Sequence, residues 1–395
     1  MAERDALITG IGLVSCLGEG IDAHWAALNQ AGGFRPVVDA ETFGPCPVHP
    51  MVQLELDRQI PKRGDQRQME AWQRIGVYAA GMALDSAGLK GNAEALGRAD
   101  MIVAAGGGER DYAVDEAILS ALPAADNPDV LLNQRLMTDL RPTLFLAQLS
   151  NLLAGNISIV HGVTGSSRTF MGEEASGADA VRIACARLAA GQGDVFLVGG
   201  SFNAQRPDAL MLHALGGMLW THEYAPVWAR QADGGGTVFG SLGCFLVLES
   251  REHAAARGAA AVAHVAAIAT DRCRRGSGEA AAVARRQFSG MRQHLQDGAA
   301  AVISGASGAS PASGEEAAFL AEFGLPVRAA ATAFGHSVEP SFIASLALAA
   351  ISVQRGTLFA PLEAAEAPMA GTLRQALVTS WGMWRGEAMA VVDGA

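Results

Sequence analysis

The sequence has little charge, few aromatic side chains and few cysteines. Charged residues make up 17% and aromatic residues 6% of the chain, and the formal net charge is −11. A net negative charge argues against a nucleic-acid partner, because such binding needs a basic surface. The five cysteines are scattered without a CxxC pair, so we expect neither a zinc site nor a disulfide framework.

Long apolar runs are also missing from the sequence. No uninterrupted apolar stretch approaches the roughly 18 residues that a membrane-spanning helix needs. No basic segment followed by an apolar one, the pattern of a secretory signal, opens the chain. We therefore expect a cytoplasmic protein without a membrane span.

The chain is rich in hydrophobic residues, at 50%, and has 47 glycines among its 395 residues. This length allows one large core or two fused ones. Short apolar runs that end in Gly or Ser alternate with Ala-rich stretches, which is typical of α/β layers with buried strands. The clearest predicted strands are residues 6–14, 101–105, 195–200 and 244–249.

The second part of the chain repeats this theme. It contains predicted strands at residues 262–270, 299–304, 377–381 and 389–393, and the glycine or serine endings resemble those of the first part. We predict two similar halves: an N-terminal half over residues 1–250, with longer insertions, and a C-terminal half over residues 251–395.

Two long helices are predicted. One covers residues 175–190, with apolar side chains on one face. The other follows Pro340, which suits the first turn of a helix. Apolar residues such as Phe342, Ile343 and Leu346 surround the second helix, so we expect it to be buried. Both helices can be explained as core helices without any functional role.

Residues 157–202 are the most informative segment. We predict a strand, a tight turn at residues 171–174, a helix, and a buried strand that ends in Gly199-Gly200. The free N–H groups and the positive dipole end of a helix start favour an anion, and many enzymes place a nucleophile there. Glu173 and Glu174 occupy this turn, where carboxylates also stabilise a helix without any chemistry.

The same segment resembles the β-ketoacyl-ACP synthases, which have the thiolase fold. Their pattern is a G-P-S-like start, then T-A-C-x-S-G, a helix and A-D-x-x-x-x-G-G. Gly165-Ser166-Ser167, Ala175-Ser176-Gly177 and Asp194 with Gly199-Gly200 match it without a gap. The resemblance therefore places the catalytic cysteine of the family at Glu174.

The resemblance extends over nearly the whole chain. Residues 6–18 resemble the opening of the family, residues 240–250 its G-E-G-A-G strand, and Gly335-His336 its G-H motif. Residues 380–388, SWGMWRGEA, resemble its closing S-F-G-F-G-G-T-N loop. The resemblance implies an α/β thiolase-like fold in which two similar βαβ halves stack as α-β-α-β-α layers.

The departures from the family pattern concern catalysis. The first family histidine falls on Ala306, or on Gly305 if the register shifts by one, and the family lysine falls on Ala331. Of the usual groups only His336 remains. A Claisen condensation needs a nucleophile and groups that stabilise an enolate, and one histidine cannot supply both.

The remaining candidate residues have open roles. His336 is either a structural histidine or a leftover enolate donor or acid–base partner for Glu174. Phe342, Met383 and Trp384 replace small or gating residues of the family. They are candidates for shaping the space that binds substrate.

We interpret the chain as a non-condensing subunit in fatty acid or polyketide chain elongation, like the cysteine-less chain-length factors. The implied partners are acyl carrier protein and a cysteine-bearing ketosynthase subunit, which would contact residues 156–167 or nearby, or a second copy of this chain. One alternative is a malonyl-ACP decarboxylase or thioester hydrolase that uses Glu174 and His336. Another is an acyl- or carrier-binding module without catalysis.

No cofactor or metal is implied by the sequence. The run Gly106-Gly107-Gly108 lacks the lysine of a phosphate loop, and the spacing of His161, His213 and His222 does not suggest metal ligation. Local basic clusters are either solvated faces or docks for an acidic carrier. These clusters are Lys62, Arg63 and Arg67; Arg272, Arg274 and Arg275; and Arg285 and Arg286.

Overall fold

Ten strands of three or more residues form one mixed sheet in the computed structural model of the protein, which describes residues 5–274, 278–296 and 298–395. The eight stretches predicted as strands with stated bounds are strands here, and their ends move by at most two residues. In chain order the strands are β1 Ala6–Ser15, β2 Asp100–Ala104, β3 Ser167–Phe170, β4 Val195–Phe202, β5 Leu242–Ser250, β6 Ala263–Asp271, β7 Ala300–Ser304, β8 Val327–Ala329, β9 Gln375–Trp381 and β10 Glu387–Asp393.

The sheet consists of two halves with the same strand order. The first half runs β3-β2-β4-β5-β1 and the second runs β8-β7-β9-β10-β6. In each half, the second strand in this order pairs in parallel with both of its neighbours. The remaining neighbouring strands pair antiparallel. Residues 6–8 join the halves by pairing with residues 263–265. The predicted similarity of the halves is confirmed, whereas a division into domains at residue 250 stays a prediction.

Helices cover and separate the two halves of the sheet. Within the described residues they are α1 Gly20–Leu28, α2 Arg63–Gln68, α3 Ala71–Ser86, α4 Ala93–Arg98, α5 Tyr112–Ala121, α6 Pro128–Thr138, α7 Thr143–Ala147, α8 Leu152–His161, α9 Glu173–Ala189, α10 Pro207–Leu215, α11 Arg251–Ala256, α12 Glu279–Met291, α13 Ala312–Ala321, α14 Ala330–Phe334 and α15 Ser341–Gln354. Two-residue strands add two small pairings: Gly18–Glu19 with β1, and Val48–His49 with Phe239–Gly240.

The packing produces the five predicted layers. Helices α3 and α8 cover the outer face of the first half, and α12 and α13 cover the second. Helices α9 and α15 lie between the halves, where their apolar side chains form one continuous core with the inner faces of both. The α/β fold with α-β-α-β-α layers is therefore confirmed, and both central helices were predicted from sequence.

The central helix α15 is apolar on all sides because it is enclosed on all sides. Every residue from Ser341 to Val353 is buried, which is the environment that such a pattern indicates. Pro340 stands at the N-cap, one residue before the first helical position. Helix boundaries commonly differ by a residue in this way.

The strand predicted at the start of residues 157–202 is wrong. Residues up to His161 belong to α8, and the strand is Ser167–Phe170. The buried positions in α8, Leu153, Ala154, Ile157 and His161, follow helical spacing. A short run of β-branched residues is typical of a strand, but these residues form a helix because one helical face is buried.

No helix in the described part of the chain is both long and apolar enough to cross a membrane.

Gly177 sets how closely the two central helices approach each other. A Cβ at this position would stand 2.2 Å from the carbonyl oxygen of Glu339, just before α15. We expect Gly177→Ala to lower the free energy of unfolding by about 1–3 kcal/mol, because backbone must move to relieve the contact. Urea unfolding measures this change.

The matched control for that experiment is Gly155→Ala in α8. A Cβ at Gly155 meets only a Leu152 methyl group at 3.9 Å, an ordinary contact. This change should be neutral or stabilising by up to about 1 kcal/mol, since alanine favours the helix. Equal effects of the two substitutions would contradict the close approach at Gly177.

Candidate functional site

A sharp turn between β3 and α9 presents Glu174 to the interior. Gly172 has φ 104° and Glu173 has φ 61°, and both values lie in the region that favours glycine. The side-chain hydroxyl of Ser176 donates to the carbonyl oxygen of Glu173 at 2.8 Å. Holding Glu173 in this disfavoured conformation directs the next residue, Glu174, into the middle layer.

The carboxylate of Glu174 bonds to groups from the other half of the protein. It is 1% exposed, and its Oε1 lies 2.9 Å from His336 Nε2. The same oxygen accepts the peptide N–H of Met383 at 3.1 Å. The second oxygen, Oε2, faces Gly382 and has no hydrogen-bond partner within the described residues. His336 and Met383 therefore fix one oxygen of the pair.

Glu174 is ionised at neutral pH. Burial by itself would raise its pKa, but the hydrogen bond and charge of His336, together with the peptide N–H groups of Glu174 and Met383, hold the pKa below the usual range. An ionised carboxylate only accepts hydrogen bonds, so His336 Nε2 carries the proton between the two residues. Such N–H donors would stabilise a developing oxyanion, and here a permanent anion occupies them.

His336 is held by its own backbone. Its peptide N–H donates to Val238 O at 2.9 Å, and its carbonyl accepts the N–H of Gly240 at 2.9 Å. Its Nδ1 lies 3.4 Å from the hydroxyl oxygen of Ser341 at the start of α15. His336 is thus both held in its loop by backbone hydrogen bonds and bonded to Glu174.

The two positions predicted to have lost catalytic groups come together as an apolar cluster. Ala306 and Ala331 are buried against Val227 and Ala329. At Gly305, a Cβ would stand 2.7 Å from Thr379 O, so that position has no room for a side chain. Methyl groups cannot transfer protons or stabilise an enolate, so this cluster contributes no acid or base to the site.

The three residues predicted to shape the substrate space lie in different environments. Phe342 is fully buried in the central core. Met383 is buried in a separate apolar cluster with Phe239 and Val338. Trp384 is 37% exposed and lines a cleft beside Glu173. A substrate-binding role for all three stays a prediction, and only Trp384 lines this cleft.

None of the hydrogen bonds of Glu174 and His336 in the described chain involves a sulfur atom. Cys244 lies inside β5, and Cys16 Sγ lies 3.7 Å from His49 Nδ1. Burial raises the pKa of Cys16 to about 12 and raises that of Cys244 as well. Neither thiol is an activated nucleophile, because the thiolate is the reactive form.

Sequence reasoning assigned no role to Glu339, which lines the same cleft as Trp384. Burial, with a contribution from the charge of Glu174, raises its pKa to about 7. Its only sequence signal is a single charge inside an otherwise apolar segment. The neighbouring group of Arg206, Asp208 and Tyr112 had no signal, because Tyr112 lies 96 positions before Asp208 in the chain.

Two of the three predicted basic clusters form ion pairs in the structure. Arg272 bonds Asp179 at 3.4 Å, and Arg285 bonds Glu322 at 2.5 Å. Arg275 lies outside the described residues. No group of His, Cys, Asp and Glu that could hold a metal ion occurs within the described ranges. A carrier dock at these arginines stays a prediction.

Comparison with known proteins identifies the family. The family model for the beta-ketoacyl synthase N-terminal domain matches residues 3–254, more than half of the chain. The chain belongs to the beta-ketoacyl synthase family. A relative is 3-oxoacyl-[acyl-carrier-protein] synthase 2 of Vibrio cholerae, 25% identical over 274 residues that cover 67% of this chain and 62% of that protein. The chain thus spans about three fifths of the length of the curated relatives it matches.

Solved structures share the fold over the whole chain. The ishigamide ketosynthase/chain length factor has a TM-score of 0.78 at 21% identity, with 100% of both chains covered. A type II PKS acyl-carrier protein in complex with its ketosynthase, AntDE:AntF, has a TM-score of 0.74 at 18% identity, again with 100% of both chains covered. At these identities the likeness establishes the thiolase-like ketosynthase fold.

The Glu174–His336 pair predicts a distinctive pH dependence of stability. The lowered pKa of Glu174 means that its ionised form stabilises the fold above pH about 4.3, and that this stability is lost as the pH falls through the folded-state pKa. In His336→Leu, only the peptide N–H groups of Glu174 and Met383 still oppose burial, which is the largest influence, so the pKa of Glu174 should rise and stability should increase as the pH falls. We expect a loss of about 3–5 kcal/mol at pH 7 that shrinks toward pH 4.

Chemical unfolding at several pH values measures this effect. His336→Gln keeps a donor for Glu174 and should lose less stability than His336→Leu. The double variant Glu174→Leu/His336→Leu removes both polar partners and should recover much of the loss. A pH-independent difference between wild type and His336→Leu would show that Glu174 does not depend on His336.

Proposed function

We propose that this protein is a non-condensing subunit in fatty acid or polyketide chain elongation, acting beside a cysteine-bearing ketosynthase on carrier-bound acyl groups. The observation that carries this proposal is the Glu174 carboxylate, which stands at the helix-start turn and is bonded to His336 and Met383. Family membership and the fold support the pathway class.

The chemistry of Glu174 argues against condensation by this chain alone. A carboxylate is a poor acyl acceptor, because its acyl product is a labile anhydride. The N–H donors that would polarise a thioester carbonyl are already bonded to Glu174. Ala306 and Ala331 provide no acid, base or enolate donor at the positions where the resemblance expects them.

The same contacts disfavour decarboxylation or thioester hydrolysis. A general base must reach a water molecule or substrate proton, whereas Glu174 is only 1% exposed: its Oε1 is bonded to two donors, and its Oε2 faces Gly382 inside the core. Incubation with malonyl-ACP tests this alternative. Acetyl-ACP formed by the purified chain would replace the proposal with a decarboxylase function.

The surface around β3 supports association with a partner subunit. β3 is an edge strand of the described sheet, and its first residues are exposed. Ile159 and Met171, on the elements that flank it, are 68% and 66% exposed. An exposed edge strand beside apolar side chains is prone to pair with another chain. A ketosynthase subunit fits this surface, and a second copy of this chain would fit it as well.

We expect Glu174→Cys alone to form no acyl-enzyme and to show no condensing turnover. The neighbouring charge of Glu173 raises the pKa of a thiol at this position, and Ala306 and Ala331 still lack proton-transferring groups. Mass spectrometry after incubation with acyl-ACP, and product analysis with malonyl-ACP, measure both steps without a partner chain.

The triple variant Glu174→Cys/Ala306→His/Ala331→Lys is the comparator for that test. It restores the three positions that the resemblance identifies as lost, so any regained activity should appear in this variant first. Turnover by the single Glu174→Cys variant would show that the protein retains condensing machinery.

The proposed partner surface around β3 can be tested by introducing negative charges into it. We expect Ile159→Asp/Met171→Asp to abolish co-purification with a cysteine-bearing ketosynthase, because two carboxylates would be buried at the interface. Light scattering should then report the 40.8 kDa monomer. Gly290→Asp on α12, where a side chain meets nothing within 4 Å, is the control and should associate normally. Unchanged association of the double variant would refute this surface.

A further inference from the structure

The cleft beside Trp384 contains a buried carboxyl group, that of Glu339, which the rest of the protein leaves available. The cleft encloses about 270 Å³ and is lined by Glu339, Arg206, His213 and Trp384 among others. Glu339 is only 6% exposed, and its carboxylate lies over Gly106, where a Cβ would stand 2.4 Å from Oε1. Within the described residues, its only hydrogen bond is to its own peptide N–H.

Most donors around this cleft are bonded within the protein; an exception is the indole N–H of Trp72, which has no hydrogen-bond partner in the described residues. Arg206 donates to both carboxylate oxygens of Asp208, at 2.8 and 2.6 Å, and to the carbonyl oxygens of Gly107 and Gly108. The side-chain amide of Asn203 donates to Glu109 at 3.0 Å. The cleft therefore has few donors left for a ligand.

The acceptors, in contrast, remain available. His213 Nδ1 lies 2.8 Å from the carbonyl oxygen of Ala209, so it carries the proton. Burial lowers the pKa of His213, so the ring is neutral and Nε2 is an acceptor. Together with the Glu339 carboxylate, the cleft offers acceptors and selects a ligand that brings donors.

We propose that this cleft binds an acyl group that carries a hydroxyl close to its thioester, and that Glu339 accepts the hydrogen bond from that hydroxyl. This inference rests on the proposed function, from which it takes that the ligand is an acyl thioester. It does not depend on the identity of the partner subunit. A saturated alkyl chain would cover the Glu339 carboxyl without a partner, which is unfavourable. An anionic group would meet the carboxylates of Glu339, Glu173 and Asp208, and the arginines beside them, Arg385 and Arg206, already bond Glu173 and Asp208.

The size of the cleft restricts the ligand to a short segment. At about 30 Å³ for each water molecule, a volume of about 270 Å³ corresponds to roughly nine waters. A four-carbon acyl group with one hydroxyl fits this space, whereas a long chain would have to leave it.

Binding of two matched probes tests the inference. 3-Hydroxybutyryl-pantetheine and butyryl-pantetheine differ in one hydroxyl, and calorimetry gives the Kd of each. At about pH 8, where a carboxyl group with a pKa of about 7 is mostly ionised, we expect the wild-type chain to bind the hydroxylated probe about tenfold more tightly, as for a hydrogen bond to a charged acceptor. Glu339→Leu should remove this preference or reverse it, and Glu339→Gln, which keeps an acceptor, should retain part of it.

Two further variants locate the effect. Glu366→Gln alters another buried glutamate whose pKa burial also raises to about 7, but Glu366 bonds the N–H groups of Leu362 and Ala329. It should leave the preference unchanged. Gly107→Leu, where a side chain meets nothing within 4 Å, fills the cleft and should abolish binding of both probes.

Equal affinities of the wild-type chain for the two probes, or no binding of either, would overturn the inference. Either result would leave the non-condensing role untouched, because co-purification with a ketosynthase and the Glu174→Cys assay test that role separately. A preference that survives in Glu339→Leu would also overturn it.

Discussion

The hydrogen bond between Glu174 and His336 connects the two halves of this protein at their centre. Glu174 begins a helix of the first half, while His336 and Met383 belong to loops of the second. A buried carboxylate is unfavourable without partners, so the turn before α9, the loop before α15 and the closing loop must keep their mutual positions. The close approach of α9, at Gly177, to the backbone of Glu339 before α15 helps to keep these positions.

The substitutions at the family's catalytic positions are mutually consistent. An anion at position 174 needs a positive or hydrogen-donating partner to offset its burial, and His336 provides one. The positions of the other expected groups, Ala306 and Ala331, have become part of an apolar cluster with Val227. A charged base there would need its own compensation in a dry environment. A bonded carboxylate at 174 and methyl groups at 306 and 331 are the observations on which the proposed non-condensing role rests.

The cleft next to this pair has a different character from the pair itself. Glu174 is enclosed and bonded, whereas Glu339, three residues after His336, faces open space with acceptors around it. The charge of Glu174 contributes to the raised pKa of Glu339, so the two carboxyl groups are coupled although only one is engaged. The two carboxyl groups therefore differ in availability, because Glu174 is bonded inside the core and Glu339 lines the cleft.

The sequence by itself determined the α/β class, the eight clearest strands, both central helices, the repeat of two halves and the position of Glu174, because local patterns and ordered motifs carry this information. It misassigned residues 157–161, since a short β-branched run has the same appearance in a strand and in a buried helix face. Only the tertiary structure decided that Glu174 bonds His336 and Met383 and that Glu339 faces a cleft with Arg206. These contacts join residues more than one hundred positions apart, and their distances depend on how the layers pack.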